Sequence, residues 1–433
     1  MKTIVFIGAN KSGSSYEAIK ASEALHYYTV LLTDRKTFFD KRMDFPHVHS
    51  MRICNLDNIN DIKSAIDRID QDRFTISAIV SFIDPYCHTA ALLSREFGLN
   101  VFTPEPIQLM LDKRKSREVL SETPYSLPYQ VIDGNMSSAE PELALPVMLK
   151  APRSSASRDV HVALTSSQYQ NALANLQGEY PGTPVLVEKY IPGSQYLVET
   201  LTVKGRVRIA AIIQQEIIFS GRFIVTGYQV IHDENSIFIH RLKQAVRGIV
   251  RAHGMRDGPC HLELRYFEKE WKLIEANPRI SGGAMNLLIE TAYGINLAKE
   301  TLKVALGQEP DLSCKQKKDA FLQYIVVPVE GTLLKVTGKH VAQSSLGVAQ
   351  VYVKPKKGSI LVPPVSMGHR YAYVIGTGAS AEEARMNAKA GASKIKFHLR
   401  AKGQGSMETA SGLGGSNGYV GLDYFADNVL YES

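Results

Sequence analysis

The sequence predicts a multidomain protein of mixed α/β and α+β class, with an open, mostly parallel α/β domain at its N-terminus and a small α+β unit near its C-terminus. Three observations predict it. First, an apolar strand, a Gly/Ser turn and a helical segment run through TIVFIGANKSGSSYEAIKASEAL, and the alternation continues with TVLLTD, INDIKSAIDRI, AIVSF, CHTAALLSREFG and LNVFT over about residues 1–104. That order builds a parallel sheet. Second, YLVETLTVKGRVRIAAIIQQE alternates like adjacent antiparallel strands, and CHLELRYF with WKLIEAN reads as a hairpin. Third, FLQYIVVPV, SILVP and RYAYVIGTG with the helix SAEEARMNAKAGASKIKFHL make a further unit over about residues 320–400. A chain of 433 residues is too long for one core, and no period of 20 to 50 residues repeats.

Between these blocks, Pro104 to Leu120 reads as a helix carrying Lys113, Arg114, Lys115 and Arg117, ended by prolines at 124 and 128. Strand VMLKAP, a Ser-rich loop, strand DVHVAL, helix SSQYQNALANLQG and strand VLVEKYI follow, and helix KQAVRGIVRAHG precedes the hairpin. Asn286 to Leu306 is helical in pattern. After Lys402 the composition shifts to Gly and Ser, predicting a flexible tail whose aromatic end can dock.

At 44% hydrophobic and 21% charged residues, the composition is that of a soluble globular protein. No run of 18 apolar residues occurs, and MKTIVFIGANKSG passes quickly into Gly and polar residues, so neither a spanning segment nor a secretory signal is expected. Cys54, Cys87, Cys260 and Cys314 form no CxxC and read as reduced thiols of a cytoplasmic protein. The net charge of +7 suits any anionic partner, but the basic clusters Lys315 to Lys318 and Lys354 to Lys357 lack the interleaved aromatics of a nucleic-acid platform. They read as solvated loops. A homodimer is the base expectation for oligomeric state.

The chemistry concentrates in LEL at 262–264 and LIEANPR at 273–279. Residues two apart on a strand share a face, so Glu275, Asn277 and Arg279 project together, and Glu263 on the preceding strand reaches the same side. Carboxylates and a carboxamide are oxygen ligands suited to Mg²⁺ shared with phosphate, and Arg279 adds a fork-shaped cation. The competing reading is a solvated acidic hairpin. Its weight falls because the flanking strands are apolar and SGGAMN follows, with adjacent glycines for close backbone approach. Upstream, Lys113 in LMLDKRKSREVL and Lys150 at the end of PVMLK are candidate phosphate contacts, each otherwise an ordinary surface lysine.

The loop Gly8 to Gly13 reads as a plain strand-to-helix turn, with a place near substrate or a cofactor as the alternatives, since GANKSG is not the dinucleotide fingerprint. Asp84 and His88 follow a strand end and are rim candidates or helix caps. His232, His240 and His261 are proton-transfer candidates or structural histidines.

From Lys113 through Gly283, and on into the C-terminal unit, the order of elements resembles the ATP-grasp superfamily, and within it carboxylate-amine ligases of the L-amino-acid ligase (dipeptide synthase) type. The resemblance implies a domain plan of 1–104, an N-terminal α/β substrate-side domain; 105–187, a first lobe with the lysines and phosphate loop; 188–310, a second lobe with the magnesium site; 311–401, the C-terminal α+β unit; and 402–433, the tail. By motif, it implies Lys113 and Lys150 as nucleotide lysines. Glu188 with the backbone of Lys189, Tyr190 and Ile191 would lie beside adenine. The residue after the Pro-Gly turn would face ribose, a position usually Glu and here Gln195. Glu263, Glu275 and Asn277 become ligands of Mg²⁺, with Mn²⁺ as a substitute. The reacting carboxylate would lie near Arg279, Ser281, Gly282, Gly283 and Ala284.

Two departures stand out. The phosphate loop, usually glycine-rich, is RSSASRD, whose Ser154, Ser155 and Ser157 offer hydroxyl donors but less freedom at positive φ. Gln195 lacks a carboxylate's second acceptor and its charge, which predicts weaker ATP affinity. The implied reaction activates an amino acid or related carboxylate as an acyl-phosphate and joins it to an amine, releasing ADP and phosphate. Residues 154–158 would be the nucleotide lid, residues 220–236 a substrate-side cover, and Arg370 a contact for a second carboxylate. The alternatives are carboxylation like that of biotin carboxylases or purine-pathway members, and a noncatalytic nucleotide-binding regulator.

Overall fold

The computed structural model describes residues 1–71, 74–100, 102–134, 141–152, 159–219, 223–232, 236–401, 407–411 and 420–421. Four parallel strands open the chain, in the order Ser50–Ile53, Tyr28–Thr33, Lys2–Ile7, Thr75–Val80. Lys2–Ile7 is buried along nearly its whole length because helices cover both faces of a parallel sheet, which is why TIVFI is continuously apolar. The strand expected at LNVFT does not join this sheet through its described residues. Thr103 N–H instead donates to Asp257 O at 2.8 Å, and its hydroxyl accepts from Asp257 N–H at 2.9 Å, so the segment spends its polar groups on a distant turn.

Two long helical patterns each divide. Pro104–Met110 and Lys113–Leu120 are separate helices, because Asp112 leaves the helical conformation and its carboxylate accepts from Arg114 N–H at 3.1 Å. Met285–Tyr293 and Leu297–Ala305 are separated by Gly294 at φ 70°, after which Asn296 caps the second helix through Lys299 N–H.

An antiparallel sheet of Tyr129–Ile132, Val185–Lys189, Val147–Lys150 and Val160–Ala163 forms one side of a central cleft. Helix Ser166–Glu179 covers its far face with Tyr169, Leu173 and Leu176. The other side is a large antiparallel sheet in the order Glu270–Asn277, Gly258–Phe267, Gln195–Val203, Arg206–Phe219, Phe223–Val230, Asp319–Ile325, Ala372–Gly378, Val348–Val353. Helix Ile237–Ala252 packs Leu242, Val246 and Ile249 into the same core as Leu262, Leu264 and Trp271. The sheet is continuous from the acidic hairpin into strands beyond residue 311, through the pairing of Phe223–Val230 with Asp319–Ile325.

In that last region the helix expected to reach HL stops at Lys394. Lys396–Ala401 is a strand paired with Gly331–Thr337, and the period of two that places Phe397 and Leu399 inside overrides helical continuation. Gly331–Thr337 and Val348–Val353 are strands the sequence reading passed over. The four cysteines are free. In the tail, Met407–Ser411 pairs with Lys396–Ala401 and Val420–Gly421 with Arg206–Phe219. Among the described residues no helix is long and apolar enough to cross a membrane.

Gly338 turns the chain into the short helix Lys339–Gln343 at φ 82°, and a Cβ there would stand 1.8 Å from Lys394 O. Gly338→Ala should therefore lower stability by at least about 1–3 kcal/mol. Urea denaturation checks it, and an unchanged midpoint would contradict the packing of this corner.

Candidate active site

A cavity of about 300 Å³ lies between the two antiparallel sheets. Its walls include Lys113, Lys150, Glu188, Lys189, Tyr190, Ile191, Gln195, Glu263, Glu275, Asn277, Arg279, Ser281, Gly282 and Gly283. The candidates at Ser154, Ser155 and Ser157 lie outside the described residues, as do the lid through Arg158 and parts of 220–236.

One end of the cleft is cationic. Lys113 sits at the capped helix start, and its ammonium is 3.2 Å from Glu275 Oε1. One turn on, Arg117 is 1% exposed; its Nε meets Glu188 Oε1 at 2.5 Å and its Nη2 donates to Ile274 O at 2.7 Å. Lys150 pairs with the other Glu188 oxygen. Burial pushes the Glu188 carboxyl up, but Arg117 and Lys150 outweigh it and hold the pKa at about 2. Burial also lowers the Lys150 pKa, against the pull of Glu188. The Glu188 carboxylate, expected beside adenine, thus holds a cation on each side. Arg117 was missed as a site residue; its signal was its place four residues after Lys113, on the same helical face.

The nearby wall is apolar: Leu127, Met148, Leu197, Ile217 and Phe223 line it with Tyr190, whose ring is stacked 6.4 Å from that of Phe223. This is a slot suited to a flat heterocycle. Gln195 is engaged at both ends of its carboxamide, donating to Glu263 Oε2 at 2.5 Å and accepting from Arg265 Nε at 3.0 Å. Arg265, also missed, donates to Ile191 O and lies 5.9 Å from the Tyr190 ring centroid. Its signal was the alternation Glu263, Arg265 on one strand face.

The acidic hairpin pairs Glu263 directly with Glu275, and His261 with Asn277. Like charges directly opposite are destabilising, and each carboxylate carries its own counterweight: Lys113 on Glu275, and His261 Nε2 on Glu263 at 3.4 Å. Burial raises the Glu275 pKa, but Lys113 and Lys150 outweigh it and the net shift is downward. His261 also holds Glu199 Oε1 at 2.7 Å, while Glu199 Oε2 accepts the Ser281 N–H at 3.3 Å. Burial would lower the His261 pKa, yet the two glutamates carry it up to about 10. Glu199 was missed, although a carboxylate inside the apolar YLVETLTV was its signal. Among the described residues no group of three or more His, Cys, Asp or Glu is arranged to hold a metal. Two carboxylates and a carboxamide therefore fit an oxygen-seeking cation only as part of a shell completed by other oxygens, as Mg²⁺ takes with phosphate.

Arg279 is clamped by Asp84 of the N-terminal domain, Nε to Oδ1 at 2.5 Å and Nη2 to Oδ2 at 2.6 Å. Burial works against the charge, but Asp84 raises the Arg279 pKa above its ordinary value. Gly282 faces open space. At Gly283, φ is 65° and a Cβ would meet the Tyr324 hydroxyl at 2.6 Å, while that hydroxyl accepts from Ala284 N–H at 3.0 Å. The Gly8 to Gly13 loop also arrives here: a Cβ on Gly13 would stand 3.1 Å from Gly283 N. His88, His232 and His240 are not among the residues lining the cleft; His232 binds Lys318 O at 2.8 Å and His240 lies 3.1 Å from Gln244. Arg370 also lines the cleft.

Residues 143–286 match the family model described as an ATP-grasp domain. The chain carries an ATP-grasp domain. Residues 323–400 match the model described as L-amino acid ligase C-terminal domain 2. The chain is 24% identical over 404 residues to the uncharacterized protein y4rH of Sinorhizobium fredii, covering 88% of this chain and 80% of that one. It is 19% identical over 233 residues to an L-arginine-specific L-amino acid ligase of Bacillus subtilis, covering 52% and 56%. The solved structure of an L-amino acid ligase from Bacillus licheniformis superimposes with a TM-score of 0.80 at 18% identity, covering 92% of this chain and 99% of that one. With that domain architecture the chain is an ATP-dependent enzyme of the ligase or carboxylase kind.

Two outcomes follow from the ATP-grasp cleft. The His261 pKa is raised from 6.5 to about 10, so its contribution to stability is complete below 6.5 and is lost as pH climbs toward 10. ¹⁵N-histidine NMR should find its ring still protonated at pH 8, and Glu199→Gln should bring its titration down; a wild-type ring titrating near 6.5 would contradict the buried pair. Asp84→Asn should cost about 1–3 kcal/mol in urea denaturation, because a mostly buried guanidinium loses a charged acceptor.

Proposed function

We propose that this protein is an ATP-dependent carboxylate-amine ligase that activates an amino acid or related carboxylate as an acyl-phosphate and joins it to an amine or amino acid. One observation carries the proposal. A cationic end, an apolar slot, paired carboxylates and a clamped arginine line one cleft, and that cleft runs at Gly283 and Arg370 into a second chamber able to hold another substrate. The names of the Bacillus relatives support the same reading.

In this mechanism Lys113 and Lys150 meet the nucleotide phosphates as point charges, and the slot at Tyr190 and Ile191 receives adenine. Glu263, Glu275 and Asn277 would hold Mg²⁺, which supplies charge neutralisation on the phosphates during transfer. Arg279, kept in one orientation by Asp84 and by the Ile280 carbonyl that its Nη1 donates to at 3.1 Å, turns its charge and remaining N–H groups to the substrate carboxylate, and the open backbone at Gly282 lets that carboxylate approach closely. Positive potential from Lys150 and Arg279 offsets the repulsion between two anions as the carboxylate oxygen attacks the γ-phosphorus. ADP departs from the phosphorus, and the acyl-phosphate stays beside Gly283 until an amine nitrogen displaces phosphate from the acyl carbon. Exclusion of water from the cleft during that interval favours amide over hydrolysis.

The deciding experiment is an ADP-release screen of paired amino acids with mass measurement of products. Amide masses with stoichiometric ADP are expected; bicarbonate-dependent turnover without any amide would replace this reading with carboxylation, and ATP binding without turnover would leave a regulator. Glu275→Gln should cut ADP release at limiting Mg²⁺ by at least about 10²-fold, and Lys150→Ala by a similar factor in kcat/KM. Wild-type rates in either variant would contradict its role.

A further inference from the structure

The second chamber has a cavity volume of about 370 Å³ and lies between the Lys11 to Gly13 turn with its following helix and the strands beyond residue 311. It shares Gly283, Met367 and Arg370 with the ATP-grasp cleft. Arg370 donates to Met367 O at 3.1 Å, Val225 O at 3.3 Å and the Tyr228 hydroxyl at 3.0 Å, and lies 3.9 Å from the Tyr324 ring centroid. Its Nη2 faces Gly283, 3.9 Å from where a Cβ would be. Lys354, at the chamber's rim, donates to Gly368 O at 3.0 Å. Each of these bonds ends on an uncharged oxygen.

Two cations facing one cavity on neutral partners favour an anion between them. Glu17, half-buried, lines the same cavity, and its carboxyl is pushed up by burial. Tyr352 stacks on Tyr373 at 5.3 Å, extending an aromatic wall from the junction outward.

We propose that this chamber receives the amine substrate and that this substrate is a zwitterionic amino acid with an aromatic or large apolar side chain: its carboxylate at Arg370 and Lys354, its ammonium toward Glu17, its side chain on the Tyr352 and Tyr373 rings. This rests on the ligase reading and narrows its second substrate. The ammonium first gives one proton to Glu17. The freed nitrogen pair then forms the N–C bond to the acyl carbon, the C–O bond to phosphate breaks with its electron pair leaving on phosphate, and phosphate takes the second nitrogen proton.

The test uses the full chain with Mg·ATP and each protein amino acid as donor, and four acceptors: hydroxylamine, L-phenylalanine, L-alanine and phenethylamine. Hydroxamate from hydroxylamine reports the acyl-phosphate itself. If no donor yields hydroxamate or amide, the ligase reading falls and this inference with it. If hydroxamate forms, L-phenylalanine should have a KM at least about fivefold below those of phenethylamine and L-alanine. Lys354→Gln should raise the L-phenylalanine KM about tenfold and the phenethylamine KM less than about twofold. Hydroxamate without that acceptor order, or a Lys354→Gln effect on donor KM instead, overturns the inference and leaves the ligase reading standing. Should Lys354→Gln fail to fold, Tyr352→Ala carries the decision, with the L-phenylalanine KM rising about fivefold relative to that of L-alanine.

Discussion

The cleft depends on Arg117. Its guanidinium touches Glu188 of the small sheet and the Ile274 carbonyl of the acidic hairpin, and so joins the two sides of the cleft. The site demands such a group. A buried carboxylate at Glu188 is tolerable only when charge and hydrogen bonds meet both oxygens, and Lys150 alone covers one. Arg117 supplies the second and spends a remaining donor across the gap, which a lysine cannot do with the same rigidity. The relative position of Lys150 and the hairpin is thereby tied to one planar side chain.

A parallel constraint fixes the other end. Asp84, at the start of a helix in the parallel domain, holds Arg279 through two hydrogen bonds, and the Gly13 backbone packs against Gly283. The N-terminal domain therefore acts on the site by orienting a cation and shaping a glycine loop.

How much of this was legible in the sequence depended on range. LEL and LIEAN were legible because the period of two places polar groups on one face of otherwise apolar strands, a local property. Lys113 and Lys150 were legible from their positions at element ends. The partners were not: Arg117 meets Glu188 across 71 residues, His261 meets Glu199 across 62, and Arg279 meets Asp84 across 195. Such pairs are chosen by burial, and no spacing rule encodes them. The same limit explains the fold differences. Asp112 and Gly294 break helices through local capping that outweighs apolar periodicity, whereas Lys396–Ala401 becomes a strand only because Gly331–Thr337 offers it a partner.

Gln195 shows why a departure from a motif needs its neighbours before it is interpreted. A glutamate there would place a third carboxylate beside Glu263 and Glu275, and it has no hydrogen to give Glu263. The carboxamide donates to Glu263 and accepts from Arg265 at once, so one neutral group passes the pull of a buried cation to an anion without adding charge. Arg265 in turn holds the Ile191 carbonyl of the apolar slot. What reads in sequence as a lost acceptor is, in the folded chain, a link from that slot to the acidic hairpin. An acid at this position would break the link even though it restored the motif.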